Sequence, residues 1–228
     1  MIPSLYVLGT DTNVGKTRVA SLLLLLASEQ GQVGACKPVA TGASWVMDSL
    51  VSPDTEALRA AAGGRQSSRE VTPFIFEPPL AAWTAARRVG STLSARDLAA
   101  SVTDVARRRG RVIAEGAGGV HVPLNETETQ LDAVVSSGLP VVLVAAARLG
   151  CINQTLLSLE ALKVRGVRVP LVYLNICDPQ ADTEVVASSL EEISSRVQPV
   201  ALLPFAASLP AAVGGLRGAL AGLGWVSP

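Results

Sequence analysis

Short apolar runs alternate with longer amphipathic stretches along this chain, almost without a break. Leu5-Tyr6-Val7-Leu8 has the length and apolarity of a buried strand. Val19–Ala27, with five consecutive leucines inside it, reads as a buried helix that Gly31 closes. Val33–Lys37 predicts a second strand, and a long polar loop follows it. Asp54–Ala62 reads as a helix ended by Gly63-Gly64. Phe74-Ile75-Phe76 is a short apolar run before Pro78-Pro79 and a small-residue segment around Ala81-Ala82. Ser94 caps a helix to about Arg108, with Leu98, Val102 and Val105 on its apolar face. Val112-Ile113-Ala114 predicts a strand that ends in Glu115-Gly116-Ala117-Gly118-Gly119. Pro140–Ala146 is the clearest central strand. Gly150 leads into a helix from about Asn153 to Lys163. Val169–Leu174 is a strand ending at Asn175, Thr183–Val197 a helix, and Val200–Leu203 a last strand ending at Pro204. The tail, rich in Ala, Gly and Leu, predicts one more helix.

Strands alternating with helices imply right-handed crossovers and an α/β, doubly wound, mainly parallel sheet. Composition agrees. The chain has 228 residues, of which 49% are hydrophobic and 17% charged, so a large core is within reach. Aromatics supply only 4%, leaving Val, Leu and Ala to fill strands covered on both faces. With no repeat or low-complexity linker, residues 1–228 read as a single domain. Ligands in such sheets bind at the carboxyl ends of the strands. Gly9–Thr17, Lys37–Gly42, Glu115–Gly119, Ala147–Asn153, Asn175–Asp178 and Pro204-Phe205 are therefore expected to converge on one crevice.

Charge narrows the function. Lys+Arg and Asp+Glu both total 19, which argues against a general nucleic-acid binder. Arg107-Arg108-Arg109 ends a predicted helix, where cations complement the helix dipole. Cys36, Cys151 and Cys177 are widely spaced with no Cys-x-x-Cys, and each reads as a small buried thiol in a reducing compartment. No signal peptide and no membrane span are expected, and the location expected is cytoplasmic.

The strongest chemical signal is Gly9-Thr10-Asp11-Thr12-Asn13-Val14-Gly15-Lys16-Thr17, set between the first strand and the first helix. In that context Gly-Lys-Thr reads as a phosphate-binding loop. Backbone N–H groups and the helix N-terminus attract an anion, Lys16 adds full charge, and Thr17 offers a hydroxyl to Mg²⁺. The loop is one residue longer than usual, with Thr10 where a glycine is common.

Other polar residues fall at predicted strand ends. Glu115, followed by small residues, suits a Mg²⁺ ligand; the competing reading is a solvated acid in a glycine-rich turn. Asp54 is equally compatible with a first-turn helix residue and a metal ligand. Asp11 stays unassigned. Lys37, before Pro38-Val39-Ala40-Thr41-Gly42, places a second ammonium near a γ-phosphate, an arrangement suited to phosphoryl transfer. His121 is the sole histidine and has no accompanying nucleophile motif, so histidine general-base chemistry is not expected.

The series Gly9-Thr10-Asp11-Thr12-x-Val14-Gly15-Lys16-Thr17, Lys37-Pro38-Val39-x-Thr41-Gly42, Glu115-Gly116-Ala117-Gly118-Gly119 and Leu149-Gly150-x-Ile152-Asn153 resembles the motifs of the dethiobiotin synthetases, in order and spacing. The resemblance implies a P-loop NTPase-like fold and a homodimer. It implies use of ATP, Mg²⁺ and CO₂ or bicarbonate to close a ureido ring on 7,8-diaminononanoate, through a carbamate and a carbamic–phosphoric anhydride. By the same resemblance, ATP contacts fall on Asn13, Val14, Gly15, Lys16, Thr17 and Arg18, on Asp54, on Glu115, Gly116, Ala117 and Gly118, and on Asn175, Pro204 and Phe205. Thr17, Asp54 and Glu115 would hold the metal. Lys37 and Lys16 would be catalytic, with Thr41 at the carbamate. Gly150, Cys151, Ile152 and Asn153 would grip the substrate carboxylate from the partner subunit. Asn13, Leu80 and Ile176 depart from residues common in the family. A partitioning or division-type ATPase shares the same start and sheet, but it usually carries an extra lysine early in the loop. A small-molecule kinase is a third reading.

Overall fold

Every residue of strand β1 (Leu5–Gly9) is buried in the computed structural model, which describes residues 1–197, 199–205 and 209–227. Helix α1 (Lys16–Glu29) follows and lays its leucines into the core. Strand β2 (Gly34–Cys36) is shorter than the apolar run predicts, because the Lys37 N–H leaves the sheet to donate to the Val71 carbonyl. The segment expected as a long polar loop holds short strands: β3 (Val39–Ala40), and a hairpin of β4 (Ser44–Val46) and β5 (Ser49–Val51). Helix α2 (Pro53–Ala61) starts with proline at its first position, as helices favour. Then come α3 (Ser68–Val71), β6 (Phe74–Ile75), which pairs with β3, and α4 (Ala82–Arg88).

Helix α5 (Ala95–Arg109) is capped by the Ser94 hydroxyl, which accepts from the Asp97 N–H. Arg107 and Arg108 at its end pair with Asp104, so the basic cluster is a solvated helix terminus. Strand β7 runs over Val112–Gly119 and so passes through Glu115. Its register against β1 shifts between Val7, opposite Glu115, and Gly9, opposite Gly119. Helix α6 (Gln130–Ser137) follows a Thr129/Asp132 capping box. The chain continues through β8 (Val141–Ala146), α7 (Cys151–Val164), β9 (Leu171–Asn175), α8 (Thr183–Ser194), β10 (Val200–Leu203) and α9 (Leu209–Gly222).

The main sheet has six parallel strands in the order β10-β9-β8-β1-β7-β2. One apolar layer packs α1, α2 and α9 on one face, and another packs α5, α6 and α7 on the other. This is the doubly wound sheet the alternating pattern predicts. The strand order reverses on either side of β1, so its carboxyl end opens into the crevice where such folds take ligands.

Candidate functional site

The loop from Thr10 to Gly15 leaves β1 and turns back beneath the first turn of α1. Gly15 adopts φ 90°, in the left-handed region, and caps α1 without a side chain. The first turn of α1 carries no acidic side chain of its own, and Gly15, Lys16 and Thr17 there line the cavity. Lys16 is 7% exposed and folds over the loop, its Nζ donating to the Asp11 carbonyl at 2.7 Å. A Cβ on Gly9 would lie 2.8 Å from the Asp11 carbonyl oxygen, a backbone atom that cannot give way, so glycine is required there. Burial lowers the Lys16 pKa to about 8, partly offset by Glu115.

Opposite Lys16 stands a charge cluster that is buried at Lys37 and Glu115 and open to solvent at Asp54. The Lys37 ammonium bridges the carboxylates of Asp54 and Glu115, at 2.6 Å from Glu115 Oε1. Thr17 Oγ1 donates to the same Oε1 at 3.0 Å. Burial pulls the Lys37 ammonium down, but the two carboxylates outweigh it and the net shift is upward. Asp54, in the first turn of α2, is raised by burial and lowered further by Lys37, with a net downward shift. Glu115 is 1% exposed, and its Oε2 has no protein partner. A buried carboxylate oxygen with an unused lone pair, next to a hydroxyl and a second carboxylate, is an all-oxygen donor set that suits Mg²⁺. Among the described residues no group of three or more His, Cys, Asp and Glu side chains could hold a metal ion, so any such ion would need further ligands from phosphate or water.

A cavity of about 760 Å³ joins the parts. Thr12, Asn13, Gly15, Lys16 and Thr17 line one side, with Lys37, Thr41, Asp54, Glu115, Ala117 and Gly118 around them. The two lysines therefore face one space. Pro79, Leu80, Ala81, Ala82 and Val122 make an apolar wall of the same cavity, which sequence motifs did not single out beyond Leu80. Proximity alone assigns the others: they carry no reactive group, and α4 was legible only as a small-residue segment.

The remaining predicted residues lie outside this cavity. Gly116 packs tightly, its absent Cβ 2.7 Å from Leu8. Val14 is buried on the far side of the loop, where its carbonyl accepts from the Asn175 amide at 3.0 Å. Arg18 donates to Asn175 Oδ1 at 3.0 Å and to the Pro204 carbonyl at 2.7 Å, and Phe205 beside it is half exposed. Val14, Arg18, Asn175, Pro204 and Phe205 thus form a second cluster at the other flank of the loop.

Gly150, Cys151, Ile152 and Asn153 form the first turn of α7. Gly150 is in the left-handed region and provides no side-chain cap. Arg148 and Gln154, on either side of that turn, each lie 3.4 Å from Asp11 Oδ2. Sequence reasoning left Asp11 unassigned; its carboxylate joins the phosphate loop to the start of α7. One cysteine reading is corrected. Cys36 and Cys151 are buried, but Cys177 is exposed, because β9 ends at Asn175 and the chain has already left the sheet. Its thiol lies 3.1 Å from Asn175 Nδ2. His121 is exposed in the turn after β7.

The sheet, the loop and the clustered lysines define a P-loop nucleotide-binding protein, and residues 3–212 match a family model described as an AAA domain. The chain belongs to the ATP-dependent dethiobiotin synthetase family, ligases that form carbon–nitrogen bonds. It is 39% identical to the ATP-dependent dethiobiotin synthetase BioD of Anaeromyxobacter dehalogenans over 88% of this chain and 89% of that one. It is also 39% identical to the protein of the same name from Pseudomonas paraeruginosa, over 86% of each chain. Among solved structures, the septum site-determining protein MinD of Pyrococcus horikoshii, complexed with Mg-ADP, has a TM-score of 0.57 at 17% identity, over 94% of this chain and 86% of that one. That likeness is one of fold. Among the described residues, no helix is long and apolar enough to cross a membrane.

Proposed function

We propose that this chain closes a ureido ring on 7,8-diaminononanoate, using CO₂ and ATP, to give dethiobiotin, ADP and phosphate. The observation that carries the reading is the placement of Lys16, Lys37, Thr17, Asp54 and Glu115 around one cavity beneath a helix N-terminus. The loop amides and Lys16 bind the phosphates. Thr17, Asp54 and Glu115 hold Mg²⁺, which supplies charge neutralisation to the triphosphate when bound.

A neutral amine of the substrate adds to CO₂ to give a carbamate. Lys37 and Thr41 hold the carbamate, and its oxygen attacks the γ-phosphate to form a carbamic–phosphoric anhydride. The second amine then displaces phosphate and closes the ring. That last step is intramolecular, so proximity supplies much of the rate. No step requires a protein nucleophile.

We further propose that the second cluster, around Asn175, Arg18 and Pro204, meets the adenine. The uncapped turn Gly150–Asn153 takes the carboxylate of a substrate bound to a partner subunit. The homodimer reading draws support from exposed apolar side chains beside that turn: Leu149 is 87% and Leu157 58% exposed. Three unpaired thiols accord with a cytoplasmic location.

The partitioning-ATPase reading has the fold in common with the MinD structure but lacks the reaction named for the curated relatives. Mass spectrometry of the product formed from the diamine, ATP and ¹³C-bicarbonate tests the proposal. The expected product carries one labelled carbon in a cyclic urea. A phosphorylated diamine without label, or ATP turnover indifferent to diamine and bicarbonate, would remove this function.

A further inference from the structure

Lys37 carries more than the role given to it above. Its Nζ lies between Asp54 and Glu115, and Glu115 Oε1 is shared between that ammonium and the Thr17 hydroxyl. Thr17, Asp54 and Glu115 are also the oxygen donors assigned to the divalent ion. An ammonium and a divalent cation held by the same two carboxylates repel each other, most strongly on the Glu115 side, which is closed to water. The second oxygen, Glu115 Oε2, is buried without a partner and belongs to a side chain that lines the cavity.

We infer that Lys37 and the divalent ion exchange places: Lys37 is the resident counter-ion of the carboxylate pair, and the metal–nucleotide complex drives its ammonium off the pair toward the phosphate and carbamate. This inference rests on the metal assignment of the proposed function and goes beyond it, since it gives one side chain two successive positions.

The local geometry favours a side-chain movement. The Lys37 backbone N–H is fixed to the Val71 carbonyl at 2.8 Å, so the main chain stays in place. The four-carbon stem has several rotatable bonds and carries a compact charge, and although Lys37 is only 5% exposed its side chain borders the cavity. Lys37 already lines the same cavity as Lys16 and Thr41, so the ammonium has a short path to the reacting groups. Metal alone gives the displaced ammonium no new partner, whereas metal with a triphosphate does. Exchange is therefore coupled to nucleotide arrival, because a ligand shifts an equilibrium only by its differential affinity for the two states.

The test is Mn²⁺ binding, followed by electron paramagnetic resonance, on the nucleotide-free full chain. Lys37→Met is expected to bind Mn²⁺ about tenfold or more tighter than wild type, since an interfering charge is gone. Lys37→Arg keeps the charge and is expected to retain weak binding. Mg²⁺ should raise the melting temperature of Lys37→Met and leave that of wild type unchanged. Equal Mn²⁺ affinity in wild type and Lys37→Met overturns the exchange. Should Lys37→Met fail to fold, NMR of ¹³Cε-labelled lysine in the wild-type chain decides. The Lys37 signal is expected to move with Mg²⁺ plus a non-hydrolysable ATP analogue and to stay still with Mg²⁺ alone; a signal unmoved by the pair overturns the inference. Failure of the metal assignment reads differently. In that case Asp54→Asn and Glu115→Gln would leave the affinity for Mn²⁺–nucleotide unchanged.

Discussion

The amide of Asn175 donates to the carbonyl of Val14 at 3.0 Å, so the last residue of β9 holds the phosphate loop from behind. The contact is buried, and the Asn175 amide oxygen is in turn held by Arg18. Replacing Asn175 with leucine leaves a buried carbonyl without a donor, at a cost of about 1–3 kcal/mol. Asn175→Leu is expected to lower the urea midpoint and to weaken ATP binding; equilibrium denaturation and an ATP titration measure the two effects. An unchanged midpoint would mean that the loop holds its shape without β9.

Lys16 sets a pH dependence whose sign differs between folding and binding. Burial brings its pKa to about 8, from 10.5 in the free side chain. Below about pH 8 both folded and unfolded chains carry the proton, and the folded chain bears the full cost of a buried charge. Between about 8 and 10.5 the unfolded chain holds the extra proton, so this group's contribution to stability rises with pH. Nucleotide binding runs the other way, because phosphate needs the ammonium. ATP affinity is expected to fall above about pH 8, by up to about tenfold per pH unit, with proton uptake on binding. Calorimetry in buffers of different ionisation heat, near pH 7 and about pH 9, reads this directly. Flat affinity with no uptake would take the phosphate away from Lys16.

Thr17→Val removes the hydroxyl that donates to Glu115 Oε1 and keeps the shape of the side chain. The Mg²⁺ concentration for half-maximal rate is expected to rise about tenfold or more. The melting temperature should move little, since Lys37 still neutralises Glu115. An unaltered Mg²⁺ requirement would exclude Thr17 from the metal.

Cys177 is the exposed thiol, while Cys36 and Cys151 are buried. Partial burial against the phosphate loop still raises the Cys177 pKa and Arg18 only partly offsets it, so its alkylation should be slow near neutral pH and speed up in mild alkali. Iodoacetamide followed by peptide mass mapping is expected to mark Cys177 first, and ATP to slow that labelling. Preferential modification of Cys36 would contradict its burial between β2 and the helices packed on it.

Part of this site was legible in the sequence because its chemistry is local. The run from Leu5 to Ala27 specifies strand, loop and helix by periodicity and glycine placement, and Lys16 and Thr17 follow from it. Asp54 and Glu115 were visible as acids near element ends, but spacing could not say that they meet across Lys37. That meeting depends on β2, β7 and α2 converging, which is a property of the folded sheet. Glu115 reads as a residue past a strand because glycines follow it, yet pairing with β1 carries β7 on to Gly119. Helix α6 went unread because its eight residues give too short an apolar periodicity to stand out, although Thr129 and Asp132 form a capping box at its start. The apolar wall from Pro79 to Ala82 and Val122 carries no chemical signature at all.

Strand β1 comes first in the chain yet lies between β7 and β8, whose last residue is Ala146. During synthesis, its hydrogen-bonding edges stay open until β7 and β8 have left the ribosome. Until then the leucines of α1 have no finished layer to enter, and parallel strands that pair at such separations fold slowly. The nascent chain thus exposes the leucines of α1 until the later strands and helices arrive to cover them.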